Sequence, residues 1–109
     1  MGSKIAVLMF AGLAIVLAQT PKRPGGDAAK GKPVFENQCS VCHASDSNVK
    51  KLGPGLKGLL KKAKLQNGKP ANEANVRVLI DAGGNGMPAY KDLLNVAQKE
   101  DLIAYLRTL

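Results

Sequence analysis

The chain is short of the residue types that build metal sites and large cores. Its 109 residues include no tryptophan, two cysteines and one histidine. After residue 18, the only phenylalanine and tyrosine rings are those of Phe35, Tyr90 and Tyr105. A structural zinc site needs four ligands, and this chain has too few cysteine and histidine side chains to form one. A core with so few large side chains is thin, and domains of this size are marginal without a disulfide, a metal or a large apolar cofactor.

The sequence also lacks an apolar run of the length that crosses a bilayer as a helix, which takes about 20 residues. The run Ile5–Ala18 is shorter, follows the positive charge of Lys4 and ends in small residues. This order is typical of a secretory signal peptide, so we predict that residues 1–18 are removed on export to a bacterial periplasm. An uncleaved N-terminal anchor is the alternative. We interpret residues 19–26, rich in proline and glycine, as a flexible leader, and residues 27–109 as one domain.

No segment alternates between apolar and polar residues as a half-buried strand does. The patterns instead predict an all-α domain of three to five helices with long, glycine-rich loops, and such loops usually line a ligand. Asp27 is a favourable cap for the first helix. Pro33 lies inside this helix, which predicts either a late start or a kink. A short basic helix is predicted near residues 56–64.

Two further helices have clear end signals. Residues 73–82 place apolar side chains on one face, with Asn72 as the cap and Gly83 as the stop. The last helix begins after Asn95, and Gln98 three residues later completes a capping-box pattern. Its apolar stripe is formed by Leu102, Tyr105, Leu106 and Leu109.

Both cysteines and the only histidine lie in the stretch CSVCH, as Cys39, Cys42 and His43. A Cys39–Cys42 disulfide would close a very short loop and stabilise little, and a thioredoxin-like pair needs a βαβ context that is missing here. C-x-x-C-H is the signature of covalent haem attachment. On a helical turn the three side chains share one face, so the thiols can form thioethers to the vinyl groups while the imidazole binds the iron. A disulfide or a surface redox pair stays the alternative.

A haem attached in this way leaves one axial position of its iron to be filled. Met87 is the only methionine after residue 18, and it lies in the loop GGNGMPAY, where Pro88 restricts the path of the chain. A lone methionine is ordinarily a gap-filling core residue. In a chain that carries haem, we predict that its thioether is the second axial ligand. The alternatives are a vacant position and a lysine ligand.

Residues 27–109 resemble the class I (mitochondrial-type) c-type cytochromes in their small bacterial monohaem form. GKPVFENQCSVCH is similar to the family's first helix and attachment motif, and DLIAYLRTL is similar to its last helix. The resemblance implies a small cytochrome c fold wrapped around one covalently attached haem c. It also implies that Gly31 and Phe35 pack against the last helix, with Tyr105 as the aromatic residue of the crossing.

The same resemblance implies two features of the haem surroundings. The carbonyl of Pro54, in LGPGLKGLL, would accept a hydrogen bond from the ligand histidine, which fixes the ring and raises its basicity. Some relatives contact a haem propionate with a tryptophan. Because this chain has none, such a contact would come from Tyr90, from lysines or from backbone groups.

The ligand set predicts an electron carrier and not an enzyme. Iron held by His43 and Met87 has no open position for oxygen, peroxide or substrate, and His/Met ligation raises the reduction potential. We therefore predict a monomeric protein that cycles between Fe(II) and Fe(III). Its donor would be a quinol–cytochrome c oxidoreductase or a dehydrogenase, and its acceptor a terminal oxidase, another reductase or a photosynthetic centre.

Six lysines follow shortly after the motif, and they have two interpretations. They form either a solvated face or a docking surface around the haem edge that steers acidic redox partners. Export and the lack of interleaved aromatic residues argue against nucleic acid, and membrane contact would come only through partners or an uncleaved anchor. The six are Lys50, Lys51, Lys57, Lys61, Lys62 and Lys64.

Two other functions stay open at this level. The chain could be the haem-bearing electron-transfer subunit of a dehydrogenase complex. It could also be a sensor or peroxidase in which Met87 leaves the iron.

Overall fold

The computed structural model describes Gly2, Ala11, Gly12 and residues 25–109, so nearly all of the predicted signal peptide (1–18) and most of the leader (19–26) lie outside the described residues. The helices are α1 (Ala28–Gln38), α2 (Glu73–Ala82) and α3 (Val96–Leu106), with a short 3₁₀ helix at Leu59–Lys61. Within the described ranges, extended pairing is limited to isolated bridges, and no helix there is long and apolar enough to cross a membrane. The all-α prediction is confirmed.

Helix α1 runs without a break through Pro33. The Asp27 side chain caps it by accepting a hydrogen bond from the Ala29 amide at 2.9 Å. Proline has no amide hydrogen to donate to the Ala29 carbonyl. Ala29 is exposed, so water can bond that carbonyl instead. The helix therefore begins at Ala28, and a late start at Pro33 is wrong.

Helices α2 and α3 have the predicted ends. The Asn72 side chain accepts from the Asn75 amide at 2.8 Å, and Gly83 (φ 64°) follows the last residue of α2. At the start of α3, the Asn95 and Gln98 side chains each accept from the other residue's amide, at 2.8 and 2.9 Å. Each cap is formed by residues three positions apart in the chain, which is why both could be predicted from the sequence.

The basic helix predicted near residues 56–64 is wrong in its extent. Only Leu59–Lys61 are helical, and in the 3₁₀ form. Gly58 precedes them in the left-handed region (φ 67°), and Lys62 follows in an extended conformation. An α-helix cannot pass through either backbone conformation.

Helices α1 and α3 cross closely, as the resemblance implied. Gly31 faces α3 at the crossing, where a Cβ atom would overlap the Asp101 carbonyl oxygen. Beside it, the rings of Phe35 and Tyr105 pack with centroids 5.4 Å apart. The Asp27 amide donates to the Asp101 side chain at 2.8 Å, which ties the start of α1 to α3.

The buried core is small and lies on one side of a cavity. Ile103 and Leu102 in α3 are its most buried members, at 0% and 1% exposure. The nine apolar residues of the core are Phe35, Leu65, Val76, Ile80, Tyr90, Leu94, Leu102, Ile103 and Leu106. Six of them also line the cavity described next: Leu65, Val76, Ile80, Tyr90, Leu102 and Leu106.

Candidate cofactor site

A cavity of about 690 Å³ opens between the three helices and the long loops. Its walls are mostly apolar, and its volume lies within the roughly 300–1,000 Å³ of typical ligand cavities. Five residues from three separate stretches of the sequence line this one space: Cys39, Cys42, His43, Pro54 and Met87. The fold thus brings together the attachment motif and the distant methionine.

The segment Cys39–His43 forms a further helical turn at the end of α1. The amides of Cys42 and His43 both donate to the Cys39 carbonyl, at 3.1 and 2.9 Å. This turn places both sulfur atoms and the imidazole on the cavity wall, and the two cysteines are not bonded to each other.

The environment of Cys39 favours a neutral sulfur. Burial, together with the neighbouring Cys42, raises the pKa of the Cys39 thiol to about 11. At neutral pH this group is therefore an uncharged thiol in a mostly apolar wall, and an uncharged thioether suits the same surroundings. The described part of the chain contains no cluster of three or more His, Cys, Asp or Glu side chains that could hold a metal ion.

The ring of His43 is held by its neighbours. Its Nδ1 atom lies 2.8 Å from the Pro54 carbonyl oxygen. A carbonyl can only accept, so Nδ1 carries a proton, and in the neutral ring Nε2 then has the lone pair that can bind a metal. Gly53 lies against the ring, where a Cβ atom would be 2.5 Å from the imidazole Cε1. The hydrogen bond that the resemblance implied for Pro54 is therefore present, while Gly53 was not identified from the sequence.

Met87 is positioned by a tight hairpin. Its amide and carbonyl both pair with Gly84, at 3.0 Å each. The two residues between them, Asn85 (φ 51°) and Gly86 (φ 86°), have the left-handed backbone typical of an Asn-Gly type I′ turn. Gly83 packs so closely that a Cβ atom there would overlap the Met87 carbonyl oxygen. The methionine side chain is half-buried and faces the cavity.

Tyr90 has a role that the sequence did not reveal. Its hydroxyl donates to the backbone carbonyl of Gln38 at 2.8 Å, although the sequence suggested Tyr90 only as a propionate contact. Burial, and secondarily the charge that Cys39 and Cys42 would carry as thiolates, raises the pKa of Tyr90 above its ordinary value, so the phenol stays protonated. Because the partners of Tyr90 and Gly53 are a backbone group and a ring face, no sequence motif identifies them.

The six predicted docking lysines are all exposed. Lys50 contributes to the cavity wall. The Lys51 ammonium donates to the Ser40 carbonyl at 2.6 Å, and that of Lys62 donates to the Asn48 side chain at 3.1 Å. Among the described residues, the ion pairs involve other cations, Arg77, Lys99 and Arg107. None of the six lysines is neutralised by a carboxylate there.

A smaller cavity of about 320 Å³ adjoins the large one and shares Pro54, Leu56 and Leu59 with it. Lys62 and Lys64 line this smaller cavity, and neither cysteine reaches it.

A porphyrin matches the chemistry of the large cavity, because it combines two apolar faces, vinyl groups at one edge and two carboxylates at another. The two thiols, the Nε2 atom of His43, the thioether of Met87 and the apolar walls all fit a haem.

The chain is similar over most of its length to proteins of one kind. Residues 26–106 match the family described as "Cytochrome C oxidase, cbb3-type, subunit III". A "Cytochrome c6-like" protein of Nostoc sp. is 30% identical over 103 residues, 94% of this chain and 87% of that protein. "Cytochrome c6" of Rippkaea orientalis is 33% identical over 99 residues, 91% of this chain and 84% of that protein.

A solved structure shares the fold. The crystal structure of cytochrome c6 from the diatom Phaeodactylum tricornutum superposes with a TM-score of 0.61 at 22% identity, covering 76% of this chain and 93% of that one.

Proposed function

This chain belongs to the cytochrome c family, as a small class I electron carrier with one covalently attached haem c, and from this premise we propose the residues that hold and tune its haem. Cys39 and Cys42 form the thioethers. His43, through Nε2, and Met87, through its sulfur, are the axial ligands. The hydrogen bond from His43 to Pro54 carries the proposal, because it leaves Nε2 with a lone pair in the cavity that Met87 shares.

Haem c supplies a one-electron change of its iron between the ferrous and ferric states. The residues of the chain set how readily this change occurs. The Pro54 carbonyl orients the His43 ring and increases its basicity. The apolar walls disfavour the more highly charged ferric state, and the Met87 thioether acts in the same direction. The contact of Gly53 with the imidazole and the hairpin that carries Met87 position the two proposed ligands.

The proposed ligation is tested by Met87→Ala in the exported holoprotein. We expect loss of the iron–sulfur absorption band of the ferric protein, a lower reduction potential and rapid binding of imidazole. Leu79→Ala is the matched control, because Leu79 lines the same cavity but cannot bind iron. If Met87→Ala binds imidazole no faster than the wild type, Met87 is not the ligand.

Covalent attachment is tested by mass and by colour. Denatured, acid-extracted protein should keep its haem and exceed the mass of the processed chain by one haem. Cys39→Ser should retain the haem through one thioether at most. Full retention of two-thioether spectral properties in that variant would contradict the assignment.

We propose further that acidic redox proteins are the partners, with the six lysines as the docking surface. Among the described residues, these lysines lack carboxylate partners, and Lys50 reaches the cavity wall. The side chain of Leu52, at 79% exposure, lines the same cavity and adds an exposed apolar surface beside Lys50. A quinol–cytochrome c oxidoreductase or a dehydrogenase would donate the electron, and an oxidase, a reductase or a photosynthetic centre would accept it.

A haem-bearing subunit of a larger complex is the second candidate. It is favoured by the description of the matching family as an oxidase subunit. The matched cytochrome c6 proteins, which this chain covers over 87% and 84% of their length, favour a free carrier. Sedimentation of the exported protein from its native host distinguishes the two: a carrier migrates as a monomer, and a subunit migrates with its complex.

Export to a bacterial periplasm, with residues 1–18 as the signal peptide, completes the proposal. Gly25, near the end of the leader, lies against α3, where its carbonyl accepts from the Arg107 guanidinium at 3.3 Å. The domain is therefore tied down from that residue onward. N-terminal sequencing of the periplasmic protein should begin at residue 19, whereas an intact Met1 would indicate an anchor.

A further inference from the structure

Tyr90 connects the two chain segments that carry the proposed ligands. It lies three residues after Met87, and its hydroxyl donates to the carbonyl of Gln38, which immediately precedes Cys39. Gln38 is the last residue of α1, where carbonyl groups lose their helical partners. No backbone amide outside the helices donates to this carbonyl among the described residues, so the Tyr90 phenol is its donor.

Backbone hydrogen bonds and burial hold Tyr90 in place. The Tyr90 amide donates to the Ile80 carbonyl at 2.9 Å, near the end of α2. The Tyr90 carbonyl accepts from the Leu94 amide at 3.2 Å. The side chain is only 9% exposed and lines the large cavity. Both ends of Tyr90 are therefore fixed, one to α2 and the other to the attachment turn.

The segment before Met87 is stabilised mainly by its own hairpin. Gly83, Gly84, Asn85 and Gly86 all have positive φ, a conformation that only the short hairpin and the approach of Gly83 stabilise. Because only Pro88 and Ala89 separate Met87 from Tyr90, a movement of Met87 away from the cavity must bend the chain next to Tyr90. The phenol bond is the side-chain link from this region to the haem-attachment turn.

We propose that Tyr90 is a positioning residue that keeps Met87 in the cavity by bonding the Gln38 carbonyl, and so limits how often the methionine leaves the iron. This inference rests on the proposed ligation by Met87. When Met87 is bound, the phenol bond is intact. When the segment swings out, the bond breaks and water takes its place at the carbonyl. Tyr90 thus stabilises the closed arrangement relative to the open one.

Tyr90→Phe removes only the hydroxyl and retains the ring. In the ferric holoprotein, binding of imidazole waits for Met87 to leave, so its rate at saturating imidazole reports the opening of the segment. We expect this rate to rise about fivefold or more, which corresponds to roughly 1 kcal/mol, the net contribution of a typical hydrogen bond. The iron–sulfur band should also disappear at a lower temperature than in the wild type.

Two control variants separate positioning from general loosening. Tyr105→Phe removes the same atom from a tyrosine whose hydroxyl has no hydrogen-bond partner among the described residues. Ile103→Val removes a methylene from a fully buried core residue that does not line the cavity. It should reduce global stability modestly and leave the phenol bond unchanged. Neither control should accelerate imidazole binding.

The outcomes are distinguishable. Faster binding in Tyr90→Phe alone supports the proposal. An unchanged rate in that variant, or an equal acceleration in Ile103→Val, overturns it while leaving the ligation by Met87 intact. A wild-type ferric protein without an iron–sulfur band would overturn the proposed ligation itself, and the role of Tyr90 with it.

Discussion

At the scale of single residues, the proposed ligand His43 shows how strongly neighbouring backbone groups determine the protonation and the orientation of an imidazole ring. The Pro54 carbonyl determines which ring nitrogen carries the proton, since Nδ1 lies 2.8 Å from an atom that can only accept. Gly53 determines where the ring plane can lie, because its hydrogen atom occupies the space that a methyl group would need. Both effects come from the backbone of one short turn.

Gly53→Ala should therefore disturb the ring rather than the fold. The added Cβ would lie 2.5 Å from Cε1 and 2.9 Å from Nδ1, so the imidazole must turn or the loop must move. Either response weakens the bond to Pro54 and should cost about 1–3 kcal/mol, as overpacking usually does. We expect altered ligand-histidine signals in the NMR spectrum of the holoprotein and a shifted reduction potential.

Gly58→Ala is the comparison for this prediction. Gly58 has a positive φ (67°) but open space where a Cβ atom would be placed. Its replacement should cost about 1–2 kcal/mol through backbone strain alone and leave the histidine signals unchanged. If the two variants have the same spectra, Gly53 does not position the ring.

The residues that could be predicted from the sequence are those whose chemistry is carried by side chains at fixed spacing. Cys39, Cys42 and His43 form a motif, and Met87 was the one remaining soft ligand. Tyr90 and Gly53 could not be predicted in the same way. The Tyr90 hydroxyl bonds a backbone carbonyl 52 residues away, and every residue type has such a carbonyl. Their roles exist only after the chain has folded.

At the scale of elements, the crossing of α1 and α3 organises the domain. Gly31 permits the close approach of the two backbones, and the rings of Phe35 and Tyr105 fill the adjacent space. The Asp101 side chain accepts a hydrogen bond from the Asp27 amide at the start of α1. An aromatic pair of this kind contributes about 0.5–1.5 kcal/mol beyond its buried area. The attachment turn continues directly from α1, so the crossing also fixes where the cysteines stand.

The variant Gly31→Ala sets the higher helix propensity of alanine against the close contact between α1 and α3. Alanine favours a helix over glycine by about 1 kcal/mol, which alone would stabilise α1. The new methyl group would overlap the Asp101 carbonyl oxygen, a backbone atom that cannot rotate away. The helices must separate, and the packing lost along the crossing should exceed the gain. We expect a net loss of about 2 kcal/mol or more in denaturant unfolding.

Lys32→Ala, one residue further along the same helix, serves as the control because Lys32 is exposed. Its unfolding free energy should change by no more than about 0.5 kcal/mol. A Gly31→Ala protein as stable as the wild type would show that the helices cross less closely than described.

The helix ends were predictable because their signals are local. Asn72 and Asn95 bond amides three residues away, and the sequence contains both partners. The helix expected near residues 56–64 failed for a backbone reason. Its apolar and basic residues suit a helix, but Gly58 adopts the left-handed region and ends the pattern. A glycine permits that conformation without requiring it, so the sequence leaves the choice to the surrounding fold.

At the scale of the whole molecule, positive and negative charges are segregated. The ion pairs of the described residues involve α2, α3 and the residue that follows α3, as in Arg77–Glu100 at 2.8 Å and Lys99–Asp81 at 2.7 Å. Residues 47–72 contain lysines but no aspartate or glutamate. Exposed ion pairs contribute little stability, about 0–1 kcal/mol each. The ion pairs matter for the distribution of charge. Because they involve other cations, the positive charge of the lysines in residues 47–72 stays uncompensated beside the two cavities.

This asymmetry gives the last prediction, the double reversal Lys61→Glu and Lys62→Glu. Reduction of the ferric protein by the anion hexacyanoferrate(II) should slow by about tenfold at roughly 0.01 M ionic strength, because charges near the cavity raise the local concentration of anions. The effect should vanish near 1 M salt, where the screening length is about 3 Å. A cationic cobalt(II) complex should show the opposite change, which separates steering from any change in the reduction potential.

The double reversal Lys30→Glu and Lys32→Glu makes the same change in net charge on exposed positions of α1 that line neither cavity, whereas Lys62 lines the smaller cavity that adjoins the large one. If only net charge matters, both double variants slow the anion equally, and the six lysines are a solvated face. If the cavity opening is the point of electron exchange, the Lys61 and Lys62 pair has the larger effect at low salt, and the two salt dependences converge as screening removes the difference. Docking by acidic proteins would then follow the same order, because their carboxylates meet the same field at closer range.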